Sequence, residues 1–273
     1  MPPGNLRGMA RQRVPEGPTP EPAVQKLRVR YAKRGRLRFT SSRDFQRAIE
    51  RALRRAHVPV AFSAGFHPHP KISYANAAST GTASEAEYFE FQVTERVDPE
   101  SVRAALDQAL PGGLDIVRVV EAGPGALADR LQASEWLLEF PGVTTQALTT
   151  AVAAFLGREH VEVTRLTKSG PRRFDVREAV VAAEVEPIGT QLHVSRTSAS
   201  SHGGGVVCAI LRLVVRHSTP AVRPDDVLTA LREIADLEPP RPPLVTRLAQ
   251  GPLNTATARV ADPLAADENV DGT

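Results

Sequence analysis

Apolar and basic residues alternate at the first stretch with a regular pattern. Leu27, Val29 and Tyr31 interleave with Lys26, Arg28 and Arg30, a period of two that predicts a strand with one core face and one basic face. After Arg34-Gly35 a short extended piece, Leu37-Arg38-Phe39, leads to Ser41-Ser42-Arg43-Asp44, where Ser41 can cap a helix and Asp44 can return the contact. The period then lengthens. Phe45, Ala48, Ile49, Ala52, Leu53 and Ala56 recur at helical spacing to about His57, with Arg43, Arg47, Arg51, Arg54 and Arg55 on the opposite face. Val58 to Phe62, the loop Ser63 to Lys71, a strand-like Ile72 to Ala75 and an alternating strand Tyr88 to Val93 follow. Asp98 caps a second amphipathic helix ending near Leu110, and Leu114 to Val120 reads as a closing strand.

A linker with Gly123-Pro124-Gly125 precedes a second cycle: strand Glu135 to Phe140, helix Thr144 to Leu156, strand Val161 to Lys168, a turn at Ser169-Gly170 and strand Arg173 to Val180. Gln191 to Arg196 and the β-branched run Val206 to Arg216 add two strands, and Pro224 to Ile234 a final helix. The predicted fold class is α+β, as tandem ferredoxin-like modules of βαββαβ type with disordered termini. The expected boundaries are a disordered tail over 1–25, a basic module over 26–122, a second module over 130–250 and a disordered acidic tail over 251–273. Residues 1–25 mix Pro, Gly, Arg and Glu without periodicity, and Asp262 to Thr273 carry four acids and no base.

Charge changes this picture most. The chain has 273 residues and a net charge of +3, but between Lys26 and Lys71 13 Lys/Arg face only Asp44 and Glu50. That segment is locally +11, leaving −8 for the rest, and such asymmetry points to an anionic partner for one end. The lone cysteine, Cys208, excludes an intrachain disulfide, a Cys-rich zinc site and a self-contained iron–sulfur cluster, and fits a reducing cytoplasm. No apolar stretch reaches the roughly 20 residues of a membrane-spanning helix, and Met1 to Gln25 lacks the apolar middle of a signal peptide.

The arginines of the basic helix line one face over about three turns, so successive guanidinium groups can meet successive phosphates. A solvated charged face is the plain alternative, but such faces mix signs, and here only Glu50 does so. In Ser63-Ala64-Gly65-Phe66-His67-Pro68-His69-Pro70-Lys71 the prolines hold His67, His69 and Lys71 in extended presentation. Phe66 is either a base-stacking ring or a core anchor. His67 and His69 have no third ligand at convincing spacing, so no metal or other cofactor is expected. Glu85 and Glu87 can serve as acid or base but fit better as partners of helix arginines. Lys168, Arg172, Arg173 and Arg177 flank a Gly-Pro turn and extend a basic surface or merely solvate a hairpin, and Gly203-Gly204-Gly205, with no following helix or lysine, is no P-loop.

These residues carry a resemblance. Arg38, Phe39, Ser41, Asp44, Arg47 and Arg51 to Ala56, then Ser63, Gly65, Phe66, Pro68, Pro70, Lys71 and Ser73, resemble the run of the radical-SAM-associated protein family, a bacterial domain fused to or encoded beside a cobalamin-binding-type radical SAM protein. Arg223-Pro224-Asp225-Asp226-Val227-Leu228 is the best echo in the second half. Many relatives have a histidine after the Ser41 equivalent, where this chain has Ser42, so a catalytic role built on that histidine does not carry over. The resemblance implies RNA- or ribosome-related work beside a radical SAM partner. With one cysteine, the chain is not itself a radical SAM enzyme.

The expectation is a cytoplasmic, non-catalytic module that binds RNA or presents a substrate, acting with a radical SAM protein. Its contacts would be Arg36, Arg38, Arg43, Arg47, Arg51, Arg54, Arg55, Phe66, His67, His69 and Lys71. One alternative is an RNA-processing enzyme with His67 or His69 as general acid or base. Another is an adaptor docking the basic helix on an acidic protein surface.

Overall fold

The computed structural model describes residues 20–187 and 207–268. The first half runs β1 (Gln25–Lys33), a 3-10 turn (Gly35–Phe39), α1 (Ser42–Arg55), β2 (Ile72–Ala75), β3 (Ala83–Val93), α2 (Pro99–Ala109) and β4 (Leu114–Glu121). After the short α3 (Leu127–Arg130) come β5 (Ala133–Pro141), α4 (Thr145–Leu156), β6 (Glu162–Thr167), β7 (Gly170–Asp175), β8 (Val180–Val185), β9 (Cys208–Arg216), α5 (Pro224–Ala235) and β10 (Leu244–Gly251). A small hairpin, β11 (Leu253–Asn254) and β12 (Arg259–Val260), follows.

This is a mixed α/β protein on one eight-stranded sheet, ordered β4-β1-β3-β10-β5-β9-β8, with β2 also on β3. Within the first half β4, β1, β3 and β2 are neighbours in that order and all antiparallel. Within the second, β10, β5, β9 and β8 repeat that order, again antiparallel, and β6 and β7 form a separate hairpin. The halves join where β10 pairs in parallel with the start of β3, Thr246 opposite Ala83 and Arg247 opposite Ser84.

Local chemistry explains the helices. Ser41, Asp98 and Thr144 each accept from a backbone N–H three residues on, the N-cap arrangement that satisfies otherwise unpaired donors. Two apolar cores result. Leu27, Val29 and Tyr31 of β1 meet Phe45, Ile49 and Leu53 of α1 and Phe89 and Phe91 of β3, and Leu138 and Phe140 of β5 meet Leu148 and Phe155 of α4 and Leu211 and Leu213 of β9. Among the described residues no helix is long and apolar enough to cross a membrane.

Three expectations are corrected. The predicted strand Arg173 to Val180 breaks because Asp175 Oδ1 accepts from the Arg177 backbone N–H at 2.8 Å and turns the chain between β7 and β8. The acidic tail is ordered from 251 to 268: Leu264 is fully buried and Asp267 is bonded to the buried Arg28 and the partly exposed Arg130. The N-terminal tail ends one residue earlier than expected, since Gln25 opens β1 and its side chain donates to Val97 O and Glu121. The strand expected at Gln191 to Arg196 and the Gly203-Gly204-Gly205 turn lie outside the described residues.

Candidate nucleic-acid interface

On α1 the sequence pattern becomes a two-faced rod. Ser41 Oγ accepts from the Asp44 N–H at 3.2 Å and donates to Asp44 Oδ2 at 2.7 Å, which starts the helix. Phe45 stacks on Tyr31 with centroids 4.3 Å apart and fixes which face turns inward. Arg43, Arg47, Arg51, Arg54 and Arg55 are then all exposed. Steps of four residues set Arg43, Arg47 and Arg51 about 6 Å apart along the axis. Arg55 donates to Ala109 O at 2.5 Å, and among the described residues the other four have no carboxylate within 4 Å.

The remaining predicted contacts divide between the two ends of this rod. Arg36 is exposed on the turn after β1, and Arg38 lies half-buried with its guanidinium 4.8 Å from the centre of the Phe39 ring. Phe66, His67, His69 and Lys71 are exposed on the loop that follows α1. That loop leaves the sheet at Val60, which bridges Val93, whereas the turn leaves it at Lys33, opposite Ser84. The nine residue-to-residue steps from Ser84 to Val93 span about 30 Å of strand. The two groups of contacts therefore do not meet; the arginines of α1 connect them.

Neither imidazole of the loop has a hydrogen-bond partner among the described residues, so the loop offers contact groups rather than an oriented acid–base pair. Among the described residues no group of three or more His, Cys, Asp or Glu could hold a metal. The second half does contain an oriented pair: His160 Nδ1 lies 2.7 Å from Asp175 Oδ2, beside a cavity of about 560 Å³ also lined by Arg158, Glu162, Arg173 and Glu233. The hydrogen bond and charge of Asp175 raise the imidazole pKa above its usual value. Acids balance bases along this cavity, and Arg173 is paired with Glu162, so the basic surface expected at the hairpin is partly neutralised.

Glu85 and Glu87 are structural partners, as expected, but not of α1. Glu85 pairs with Arg34, and Glu87, 1% exposed, pairs with Arg247 of β10 and accepts from the Ala78 N–H at 2.9 Å. Arg247 also donates to Asn76 O at 2.9 Å and lies over Trp136, which ties β3, β10 and β5 together at the junction. Tyr31 sits beside this cluster, and burial first, then the Glu87 charge, pushes its phenol pKa well up.

The basic face of β1 is the largest departure from expectation. Arg28 is completely buried, donating to Glu90 at 2.8 Å, Asp267 at 2.7 Å and Gly125 O at 2.5 Å. Burial alone would lower its pKa, but the hydrogen bonds and charges of Glu90 and Asp267 prevail and hold it raised. Arg130 takes the other Asp267 oxygen at 2.8 Å, the Gly123 N–H donates to the first at 2.9 Å, and Arg118 pairs with Asp262 at 2.9 Å. Leu264 fills a small apolar cluster with Tyr88, Leu127 and Leu131. The tail passes so close to β10 that a Cβ on Gly251 would stand 2.1 Å from Ala261 O. The sheet face opposite α1 and α2 is thus covered by the chain itself. The sequence signal for this was the pairing of an acidic, Leu-bearing tail with a strand of alternating arginines.

Fold and surface define a mixed α/β protein with two topologically repeated halves on one sheet, one half bearing a solvated arginine helix. The chain belongs to a family described as uncharacterized protein conserved in bacteria (DUF2344), whose model matches residues 26–224, from β1 to the first residue of α5. No curated protein matches it.

Proposed function

We propose that this chain is a non-catalytic RNA-binding module whose phosphate-binding surface is the arginine face of α1. The observation that carries the reading is that Arg43, Arg47, Arg51 and Arg54 have no carboxylate partner among the described residues, in a protein whose other arginines are repeatedly matched to carboxylates. Guanidinium groups left in solvent at regular steps, with little opposing charge, favour a polyanion. The covered sheet face supports the same choice, since it removes the surface on which four-stranded RNA-binding sheets stack bases. We read both halves as ferredoxin-like, because each presents four antiparallel strands in the order last, first, third, second, with two helices. Cooperation with a radical SAM partner rests on the resemblance of the Arg38–Ala56 and Ser63–Ser73 runs, with the chain binding or presenting RNA for that partner in the cytoplasm.

The test is binding of a single-stranded 20-mer RNA to the full chain and to the Arg47→Gln/Arg51→Gln/Arg54→Gln variant. Log K should fall with log[salt], and the variant should lose about 0.7 of slope for each phosphate contact removed, about 2 for three. Poly-glutamate as competitor separates RNA from an acidic protein surface. Binding that ignores both salt and the substitution, or that poly-glutamate displaces as well as RNA does, would sink the proposal.

A further inference from the structure

We infer that the RNA taken by this surface is unpaired, with one base stacked on Phe66 at the C-terminal end of α1. The inference rests on the polyanion reading of α1 and narrows its ligand. Phe66 is 77% exposed, which removes the core-anchor reading that its sequence leaves open. Five other rings in this half interlock: Tyr31, Phe45, Tyr74, Phe89 and Phe91 form a chain of contacts with centroids 4.3 to 6.4 Å apart.

The loop is built to hold that ring outward. Phe62 bridges Pro70, the Ser63 N–H donates to His69 O at 2.8 Å, and the His69 N–H donates to Ser63 Oγ at 3.0 Å. Gly65 has φ +124° with nothing within 4 Å of the place a Cβ would take, so glycine is required by the turn and not by crowding. Pro68 and Pro70 fix their own φ angles. A pre-ordered tip loses little conformational freedom on binding.

Single exposed apolar residues are ordinary. This one differs in its company: His67, His69 and Lys71 are exposed beside it, no acid occurs from Phe62 to Ala75, and the loop grows from the end of the helix that carries Arg54. An aromatic face among cations stacks on a base while the cations meet flanking phosphates, and a paired, stacked base is not available to it. Phe39, at the other end of α1, is 58% exposed but has Arg38 over its ring, and Phe62, at the base of the loop opposite Pro70, is 43% exposed, so Phe66 offers the most exposed aromatic face.

The experiment compares the 20-mer as a single strand and as a duplex, with 2-aminopurine in the single strand as a stacking reporter, on the full chain and on Phe66→Ala, Phe66→Trp and the triple arginine variant. Phe66→Ala should lose about tenfold in single-strand affinity and the 2-aminopurine quench, with duplex affinity and salt slope unchanged, and Phe66→Trp should restore both. Single-strand affinity unchanged in Phe66→Ala, or equal losses for strand and duplex, overturns the stacking role even while the arginine variant weakens both ligands. An arginine variant that binds like wild type overturns the underlying polyanion reading instead.

Discussion

Two sets of arginines lie on opposite faces of the same half-sheet, and the chain treats them in opposite ways. Arg28 is closed inside a cage of Glu90, Asp267 and the Gly125 carbonyl, with the partly exposed Arg130 on the other Asp267 oxygen, while Arg43, Arg47, Arg51 and Arg54 stand in water without partners among the described residues. The first set holds the tail down; its charge is consumed inside the molecule and contributes nothing to recognition. The second adds little to stability and leaves its charge free for the proposed RNA. A count of basic residues along the sequence merges the two, and only the location of their counter-charges separates them.

The contrast is sharpest for stability. Asp267→Asn removes the charge shared by two guanidinium groups, one fully buried, and should destabilise the fold by about 3 to 5 kcal/mol in urea unfolding, the scale for breaking a buried ion pair. The triple arginine variant of α1 should change the same unfolding free energy by less than about 0.5 kcal/mol per site. Equal effects would mean that the two sets do not differ in kind. Gly251→Ala comes next: the added methyl has no room beside Ala261 O, so tail residues 261–268 should detach and gain protease sensitivity; detachment also takes Asp267 from Arg28 but lets water reach the guanidinium, so the loss of stability should not exceed that of Asp267→Asn, which leaves the charge buried. Salt separates the sets more gently. Between 50 and 200 mM NaCl, RNA affinity should fall at least about fivefold while the urea midpoint stays nearly fixed, because solvated charges are screened and buried ones are not.

The smallest expected effect is a pH dependence at the junction. His217 is held neutral by burial, with the Leu131 carbonyl opposing and the Arg247 charge reinforcing the downward shift of its pKa. A histidine whose folded pKa lies below its unfolded value of about 6.5 stabilises the fold above that value and loses the contribution as pH falls toward the folded pKa. Thermal unfolding between pH 7 and 5 should therefore show a decline that His217→Gln lessens. A decline of the same size in the variant would assign the effect to other groups.

Much of the first half was legible because its signals are local. The alternation over Lys26 to Tyr31, the Ser41 cap and the spacing of Phe45, Ile49 and Leu53 each act within a few residues and correspond to β1 and α1. The junction and the ordered acidic tail were not legible because their partners are distant. Asp267 meets Arg28 across 239 residues, so a segment with one buried leucine and several acids has the composition of a disordered tail. No strand was expected at Leu244–Gly251, whose alternation is broken by a register shift between Arg247 and Ala249. Phe66 was legible as a special residue but not as an exposed one, since its sequence neighbours fit both an anchor and a platform.

The strand that unites the halves is the last strand of the eight-stranded sheet in chain order. When a growing chain has emerged only as far as α5, the side of β5 from Ala133 to Glu139 that β10 will cover stands bare, with Leu137 and Leu138 along it. At about 5 to 20 residues per second the missing strand follows within seconds, so the hazard is brief on an unpaused ribosome. On a crowded polysome, neighbouring nascent chains present the same open edge side by side. The rate at which translation delivers Leu244–Gly251 then governs whether that edge finds its own strand or another chain's.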